Sequence, residues 1–306
     1  MIAVRKPGLL TTVQDAGRPG HRASGMPVAG AMDRLALAAA NRLVGNGPGA
    51  AALEFTLVGG TFSFEEGAVA ALAGAEMPAT LDGAPVDAGA PFTAPAGSTL
   101  TLGVARRGVR AYLAVAGGID VAPVLGSRST YLRAAVGGFE GRALRAGDRL
   151  PVGPPPARAA PRPSRPLPGL PAPGSTVVLR VIPGPQDDRF APEGIETLLA
   201  ATWKVTTLND RMGYRLDGPA VRLRDGADIV TDAVVPGAVQ VSGDGKPMVL
   251  MADCQTTGGY AKPFTVIGPD LRLLAQARAG DGVRFAICTQ EEAVAALAEE
   301  RAWPSI

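Results

Sequence analysis

The chain has 306 residues, of which 46% are apolar and 19% charged, with a formal net charge of +2 and a single histidine. That length accommodates two domains with cores of their own, and a near-neutral balance without a basic run interleaved with aromatics argues against nucleic-acid binding. No apolar run approaches the length of a membrane helix, the N-terminus lacks a signal-peptide pattern, and two distant cysteines make no disulfide framework, so the cytoplasm is the expected compartment.

In chain order, Met32–Val44 has helical periodicity and stops before Gly45, a suitable residue just past a helix end. Short apolar runs bounded by Gly, Pro, Asp and Asn then predict strands at Phe62–Phe64, Thr99–Val104 and Ala111–Val115. Residues 151–174 contain ten prolines and no aromatic residue, which predicts an extended linker between a β-rich domain of residues 1–150 and a second of residues 175–306. In that second half, strands are predicted at Val177–Ile182, Ala238–Val241, Met248–Met251 and Val283–Ile287, and a helix at Glu193–Ala201. A C-terminal helix over residues 290–301 is announced by Thr289 and Glu292 at capping-box spacing. The fold class is therefore mainly β, in two β-rich domains with a few peripheral helices. Leu81-Asp82-Gly83 recurs as Leu216-Asp217-Gly218, and Arg145-Ala146-Gly147-Asp148 recurs as Arg278-Ala279-Gly280-Asp281, which is a faint echo between the halves.

Polar clusters in glycine-rich contexts supply the candidate site. Gln14 and Asp15 could face a ligand, with Arg18 available to pair a carboxylate or phosphate, or Asp15 and Arg18 could simply close a turn. Ser24 to Asp33 reads as a helix entry, and Asn41 with Asn46 as a helix-end network. Asp210 and Arg211 precede a glycine and read equally as a salt-bridged turn or as ligand contacts. Asp232 reads as a turn carboxylate. Gln240 interrupts an apolar run, so its amide is either buried and satisfied or open to a pocket.

The densest cluster follows a predicted buried strand: Asp253, Cys254, Gln255, Thr256, Thr257, Gly258, Gly259 and Tyr260, with Lys262 close behind. Its paired glycines would let the backbone take positive φ and approach a ligand, and Lys262 could stabilise developing negative charge. Asp253, Tyr260 and Lys262 are the candidate catalytic groups. Gln14, Asp15, Arg18, Asp210, Arg211, Gln240, Gln255, Thr256, Thr257, Gly258 and Gly259 are the candidate substrate contacts. No Walker-type loop, dinucleotide fingerprint or Cys/His metal cluster occurs, and His21 alone makes neither a zinc site nor a triad.

With these motifs in view, the chain resembles the biotin-dependent carboxyltransferase-related proteins, the allophanate hydrolase subunit 2 or KipA-like family, which includes the C subunit of bacterial 5-oxoprolinase. The resemblance is carried by Val13-Gln14-Asp15-Ala16-Gly17-Arg18, Gly30-Ala31-Met32-Asp33, Asn41 to Asn46, Ala116-Gly117-Gly118-Ile119, Leu125 to Thr130, Asp210 to Gly213 and Gln255 to Tyr260. It implies cyclophilin-like barrel modules and a complex with KipI-like and LamB/YcsF-like partner subunits. It also implies ATP-dependent opening of 5-oxo-L-proline to L-glutamate, with ATP bound by this chain or by its partner. One alternative is the carboxyltransferase component of a biotin-dependent urea or amide carboxylase. Its biotin would be carried on another chain, since none of Lys6, Lys204, Lys246 and Lys262 has the methionine neighbours of a carrier lysine. Another is a non-catalytic KipA-like antagonist of a kinase inhibitor.

Overall fold

The computed structural model describes residues 1–155, 167 and 169–303. They form two compact units, a first built from Met1–Arg18, Ala29–Leu170 and the C-terminal segment from Trp303, and a second from Pro19–Val28 and Pro171–Ala302. The division departs from a simple split into halves, because residues 19–28 join the second unit. The physical tie is Arg22, whose Nη2 donates to the carbonyls of Val234 and, at 3.2 Å, Gln255. Of the proline-rich stretch, residues 156–166 and 168 lie outside the described residues.

The first unit contains a six-stranded and a five-stranded antiparallel sheet. Alternation along the strands explains how they are used. In Arg107–Val115, the side chains of Ala111, Leu113 and Val115 enter a core shared with Ile2, Val4, Phe62, Phe64 and Leu100, whereas Tyr112 and Ala114 point to the opposite face. That second face is covered by the helix Arg34–Leu43, through Leu37 and Leu43. Both faces of the strand are buried, which accounts for its continuous apolar run. Asp33 caps the helix by accepting from the Ala36 amide at 3.0 Å, and Gly45 takes a φ of 76° just beyond the end. Asn46 donates to Asn41 Oδ1 at 3.0 Å, the helix-end network read from the sequence.

The second unit is a closed barrel of the strands Thr176–Pro183, Phe264–Val266, Ala238–Val241, Pro247–Leu250, Gly213–Asp217, Trp203–Asn209 and Gly282–Ile287, in that order around the ring. Only the pairing of Gly282–Ile287 with Thr176–Pro183 is parallel, with Thr176 opposite Gly282, where an added Cβ would collide with Thr176 Oγ1. Trp203 is fully buried and donates its indole N–H to the Leu198 carbonyl, tying the helix Pro192–Ala200 to the barrel. The helix Gln290–Ala302 starts with the anticipated capping box: Glu292 N donates to Thr289 Oγ1 at 3.2 Å and Thr289 N to Glu292 Oε2 at 2.8 Å. A two-stranded antiparallel ribbon, Asp228–Ala233 with Thr257–Tyr260, makes a separate small sheet.

One of the two sequence echoes is a structural repeat. The amides of Arg145 and Arg278 donate to Asp148 Oδ2 and Asp281 Oδ2 at 2.7 and 2.8 Å, and Gly147 and Gly280 have φ of 94° and 93°. Each turn then clamps a strand residue in the same way. Gly147 N donates to Val4 O and Val4 N to Asp148 O, while Gly280 N donates to Val205 O and Val205 N to Asp281 O, all at 2.8–2.9 Å. The other echo diverges: Asp82 and Gly83 form a positive-φ hairpin turn, whereas Asp217 ends a barrel strand.

Candidate functional site

The predicted ligand contacts of the first unit are occupied by structure. Asp15 is 9% exposed, and its Oδ1 accepts from Gly17 N and Ser127 Oγ, both at 2.7 Å, and from Ser129 Oγ. Its Oδ2 accepts from the Arg128 amide at 2.5 Å. Arg18 Nη2 donates to the Ser129 carbonyl, and Gln14 Nε2 donates to Thr12 Oγ1 and the Thr130 carbonyl at 3.1 Å each. The three side chains therefore hold the 127–130 segment onto the strand Thr11–Gln14. A carboxylate with this many donors has its acceptor positions taken by the protein itself.

Glu54 and Tyr112, which the sequence did not single out, form a second buried network in this unit. Tyr112 Oη donates to Glu54 Oε2 at 2.7 Å and accepts from Asp33 N at 2.8 Å, and Met32 N donates to the same Glu54 oxygen at 2.9 Å. Burial, with the neighbouring Glu54 and Asp33 charges, pushes the Tyr112 phenol well above its usual value. The network fixes the start of the Arg34–Leu43 helix.

The remaining predicted residues lie in the second unit, and they separate into two groups. Arg211 and Asp253 form a bidentate pair, Nε to Oδ2 and Nη2 to Oδ1 at 2.9 Å each, with side chains 5% and 4% exposed. The Asp253 amide also donates to the Arg211 carbonyl at 2.8 Å. Asp253 thus anchors the chain between the strand Pro247–Leu250 and the ribbon. Asp210 is exposed, and its Oδ1 accepts from the Met212 and Gly213 amides, so its carboxylate closes the turn. Burial raises the Cys254 thiol above its usual value, which leaves no thiolate nucleophile beside Asp253.

The second group gathers on the ribbon. Thr257 to Tyr260 is a strand, not a loop, and neither Gly258 nor Gly259 takes positive φ. Gly258 matters for a different reason: a Cβ there would meet Gln240 Nε2 at 2.5 Å and Val234 Cγ1 at 3.2 Å. Gln240 is 2% exposed, and its Nε2 has no hydrogen-bond partner among the described residues. Gly258 lies directly across the ribbon from Asp232. Side chains at directly opposed positions share a face, so the Asp232 carboxylate and the Gln240 amide lie on the same side of the ribbon.

Asp232, read from the sequence as a turn residue, is the centre of that face. Its Oδ2 accepts from Lys262 Nζ at 2.9 Å and from Gln186 Nε2 at 3.1 Å. First the Lys262 hydrogen bond and then that of Gln186 hold the Asp232 carboxyl below the usual carboxylate range. The Lys262 side chain is 2% exposed and that of Asp232 46%, so the cation is hidden and the anion is open to solvent. Lys262 Nζ donates also to the Ala233 carbonyl at 3.2 Å. The backbone around Lys262 is held from two sides, by Gln186 N on the Lys262 carbonyl and by Val241 N on the Ala261 carbonyl. Gly184 makes the first contact feasible, since a Cβ there would collide with the Lys262 carbonyl oxygen. Tyr260 ends the ribbon strand 40% exposed, while Gln255 and Thr256 contribute carbonyls to Arg22 and to Val234 N. Gln186 is the member of this group that sequence reasoning missed entirely, because it sits in an irregular segment far from the Gly-Gly motif.

The chain thus joins a closed barrel carrying a small ribbon to a two-sheet unit. A family description, carboxyltransferase domain, subdomains A and B, matches residues 24–287, and the chain belongs to that family. It is 41% identical over 301 residues to an Escherichia coli K12 protein named as the C subunit of 5-oxoprolinase, covering 98% of this chain and 96% of that one. The Haemophilus influenzae protein of the same name is 37% identical, over 92% of this chain and 89% of its own. The crystal structure of Kluyveromyces lactis urea amidolyase superposes with a TM-score of 0.94 at 31% identity, over 99% of this chain but only 20% of that much longer one.

Proposed function

We propose that this chain is part of an ATP-dependent 5-oxoprolinase, which opens 5-oxo-L-proline to L-glutamate together with KipI-like and LamB/YcsF-like partner subunits in the cytoplasm. The observation that carries this reading is end-to-end similarity to proteins named as the C subunit of 5-oxoprolinase, 96% of the Escherichia coli chain being covered. Ring opening adds water across the lactam C–N bond, giving a carboxylate and a free amine. Negative charge develops on the lactam oxygen in that step. A buried ammonium aimed at that oxygen stabilises it in a setting that excludes water, and Lys262 is the group suited to this role. Asp232 and Gln186 hold the ammonium in place, Tyr260 offers a hydroxyl at the open end of the ribbon, and Asp253 acts through Arg211 as a positioning residue.

The loop of this unit most like a nucleotide-binding one does not fit a nucleoside triphosphate. Gly243-Asp244-Gly245 leads to Lys246, but its ammonium is taken up by the Gly218 carbonyl and by Asp217 at 3.0 Å. We therefore assign ATP to one of the partners and derive no step through it on this chain.

Reconstitution of the chain with its cognate KipI-like and LamB/YcsF-like partners is expected to give 5-oxoproline-dependent ATP hydrolysis with release of glutamate. Absence of that activity in a complex that assembles would remove the reading. The similarity to urea amidolyase supports a second one, carboxyl transfer from biotin carried on another chain to an amide nitrogen. Transfer of carboxyl from carboxybiotin by the purified chain, with no 5-oxoproline-dependent ATPase in the reconstituted complex, would select it.

A further inference from the structure

We propose that the inner face of the ribbon is a cis-amide recognition subsite. In it, Gln240 Nε2 and Lys262 Nζ donate to a lactam oxygen, and Gln186 Oε1 accepts the adjacent lactam N–H. The inference rests on the reading of the chain as part of a lactam hydrolase and specifies how it would select its substrate.

Three unused polar groups carry it. Gln240 Nε2 is buried and unpartnered among the described residues, in a side chain 2% exposed. Gln186 Oε1 is buried and unpartnered likewise, and its orientation is fixed because Nε2 donates to Asp232. Lys262 Nζ uses two of its three protons, on Asp232 and on the Ala233 carbonyl. Buried amide groups are ordinarily hydrogen-bonded, and leaving one unpaired is unfavourable. Two glutamines and a lysine carry unused capacity beside one carboxylate, and the residue opposite that carboxylate is a glycine, which lets the Gln240 amide pack directly onto the ribbon.

The ligand class follows from the polarity of these groups. An anion would be met by donors alone, and a cation by acceptors alone. Here donors and an acceptor converge, which matches a group presenting C=O and N–H along one edge. A trans peptide points these two in opposite directions, whereas a five-membered lactam ring holds them side by side in the cis arrangement. An extended peptide thus meets at most half of the constellation.

The test measures the reconstituted complex. Gln186→Leu is expected to raise KM for 5-oxo-L-proline roughly tenfold or more with little change in kcat, the mark of lost ground-state binding, and Gln240→Leu, which removes a donor to the oxygen that gains charge, to raise KM similarly and lower kcat as well. Gln240→Glu, which has no N–H to donate, is expected to lose at least as much. 2-Pyrrolidone, which keeps the lactam and lacks the carboxylate, should compete, and L-proline, which lacks the carbonyl, should not. Wild-type KM in both leucine variants, or no competition by 2-pyrrolidone, overturns the subsite while leaving the 5-oxoprolinase reading intact. If the complex proves inactive toward 5-oxoproline, ligand-observed NMR of the full chain with 2-pyrrolidone still decides. Saturable binding that Gln240→Glu abolishes, with its circular dichroism unchanged, upholds the subsite, and no binding to the wild-type chain overturns it.

Discussion

Two ion pairs of the barrel unit, Arg211–Asp253 and Lys262–Asp232, have opposite designs. Arg211–Asp253 is closed: both guanidinium contacts measure 2.9 Å, both side chains are about 5% exposed or less, and each partner fills the other. Lys262–Asp232 is open, since the ammonium is buried, the carboxylate is 46% exposed, and the surrounding amides retain unused capacity. A closed pair holds a fold together and has nothing left to offer a ligand. An open pair is a poor anchor, yet it presents charge where a substrate can reach it. Of the catalytic groups proposed from the sequence, the contrast favours Lys262 over Asp253.

The largest effect should come from breaking the closed pair. Asp253→Ala leaves the Arg211 guanidinium buried without its carboxylate, and removing one member of such a pair costs about 3–5 kcal/mol. Denaturant unfolding of the purified chain should report that loss as a lower midpoint at unchanged slope. A loss below about 1 kcal/mol would mean that the pair is not the anchor described here.

Next comes the open pair. Lys262→Met keeps the volume of the buried stem, removes the ammonium, and leaves a carboxylate that water already reaches. Stability should therefore change by no more than about 1 kcal/mol. The 5-oxoproline-dependent ATPase of the reconstituted complex should fall by about 10²–10³-fold, the usual cost of one oxyanion-stabilising donor. A variant that is unstable and fully active per folded molecule would reverse the comparison.

A sharper probe is Gly258→Ala. The added methyl would lie 2.5 Å from Gln240 Nε2, the mobile end of a side chain, so the fold can accommodate it by swinging the amide aside. Unfolding should move by about 1 kcal/mol or less, while KM for 5-oxo-L-proline rises several-fold because the displaced amide no longer meets the lactam oxygen. An unchanged KM would show that Gln240 does not face the ligand.

Much of this arrangement was legible in the sequence where local rules suffice. Asp33, Gly45 and the Thr289–Glu292 box end or begin helices by short-range hydrogen bonds, and the Arg-Ala-Gly-Asp turns repeat because their geometry is set within four residues and one glycine. Leu-Asp-Gly did not repeat its shape, since Asp217 was captured by a barrel strand and by Lys246. Gln240 was visible as an amide in an apolar run. What pairs with what was not visible: Arg211 passes over adjacent Asp210 to reach Asp253, and Lys262 reaches back to Asp232. The first choice follows from barrel register and the second from the pairing of the ribbon strands, each of which brings together residues dozens of positions apart. Glu54 and Tyr112 were hidden for the same reason, since only antiparallel pairing makes them neighbours.

The smallest expected effect separates the two pairs by pH. The Asp232 carboxyl is held below its ordinary value by Lys262 and then Gln186. A depressed carboxyl contributes stability above its unfolded value, near pH 4, and loses that contribution only as pH falls through the lower folded value. Lys262 should thus keep an ionised partner throughout the range from pH 7 to about pH 5. Over that range the ratio of wild-type to Asp232→Asn activity in the complex should stay constant, and the stability difference between the two chains should be slight because the carboxylate is exposed and screened. Asp232→Asn keeps an acceptor for the ammonium and removes only the charge, so a constant ratio isolates positioning of Lys262 as the role of Asp232. A ratio that falls between pH 7 and pH 5 would instead mean that Asp232 itself exchanges a proton during turnover. The open pair would then be an acid–base device and not a held cation.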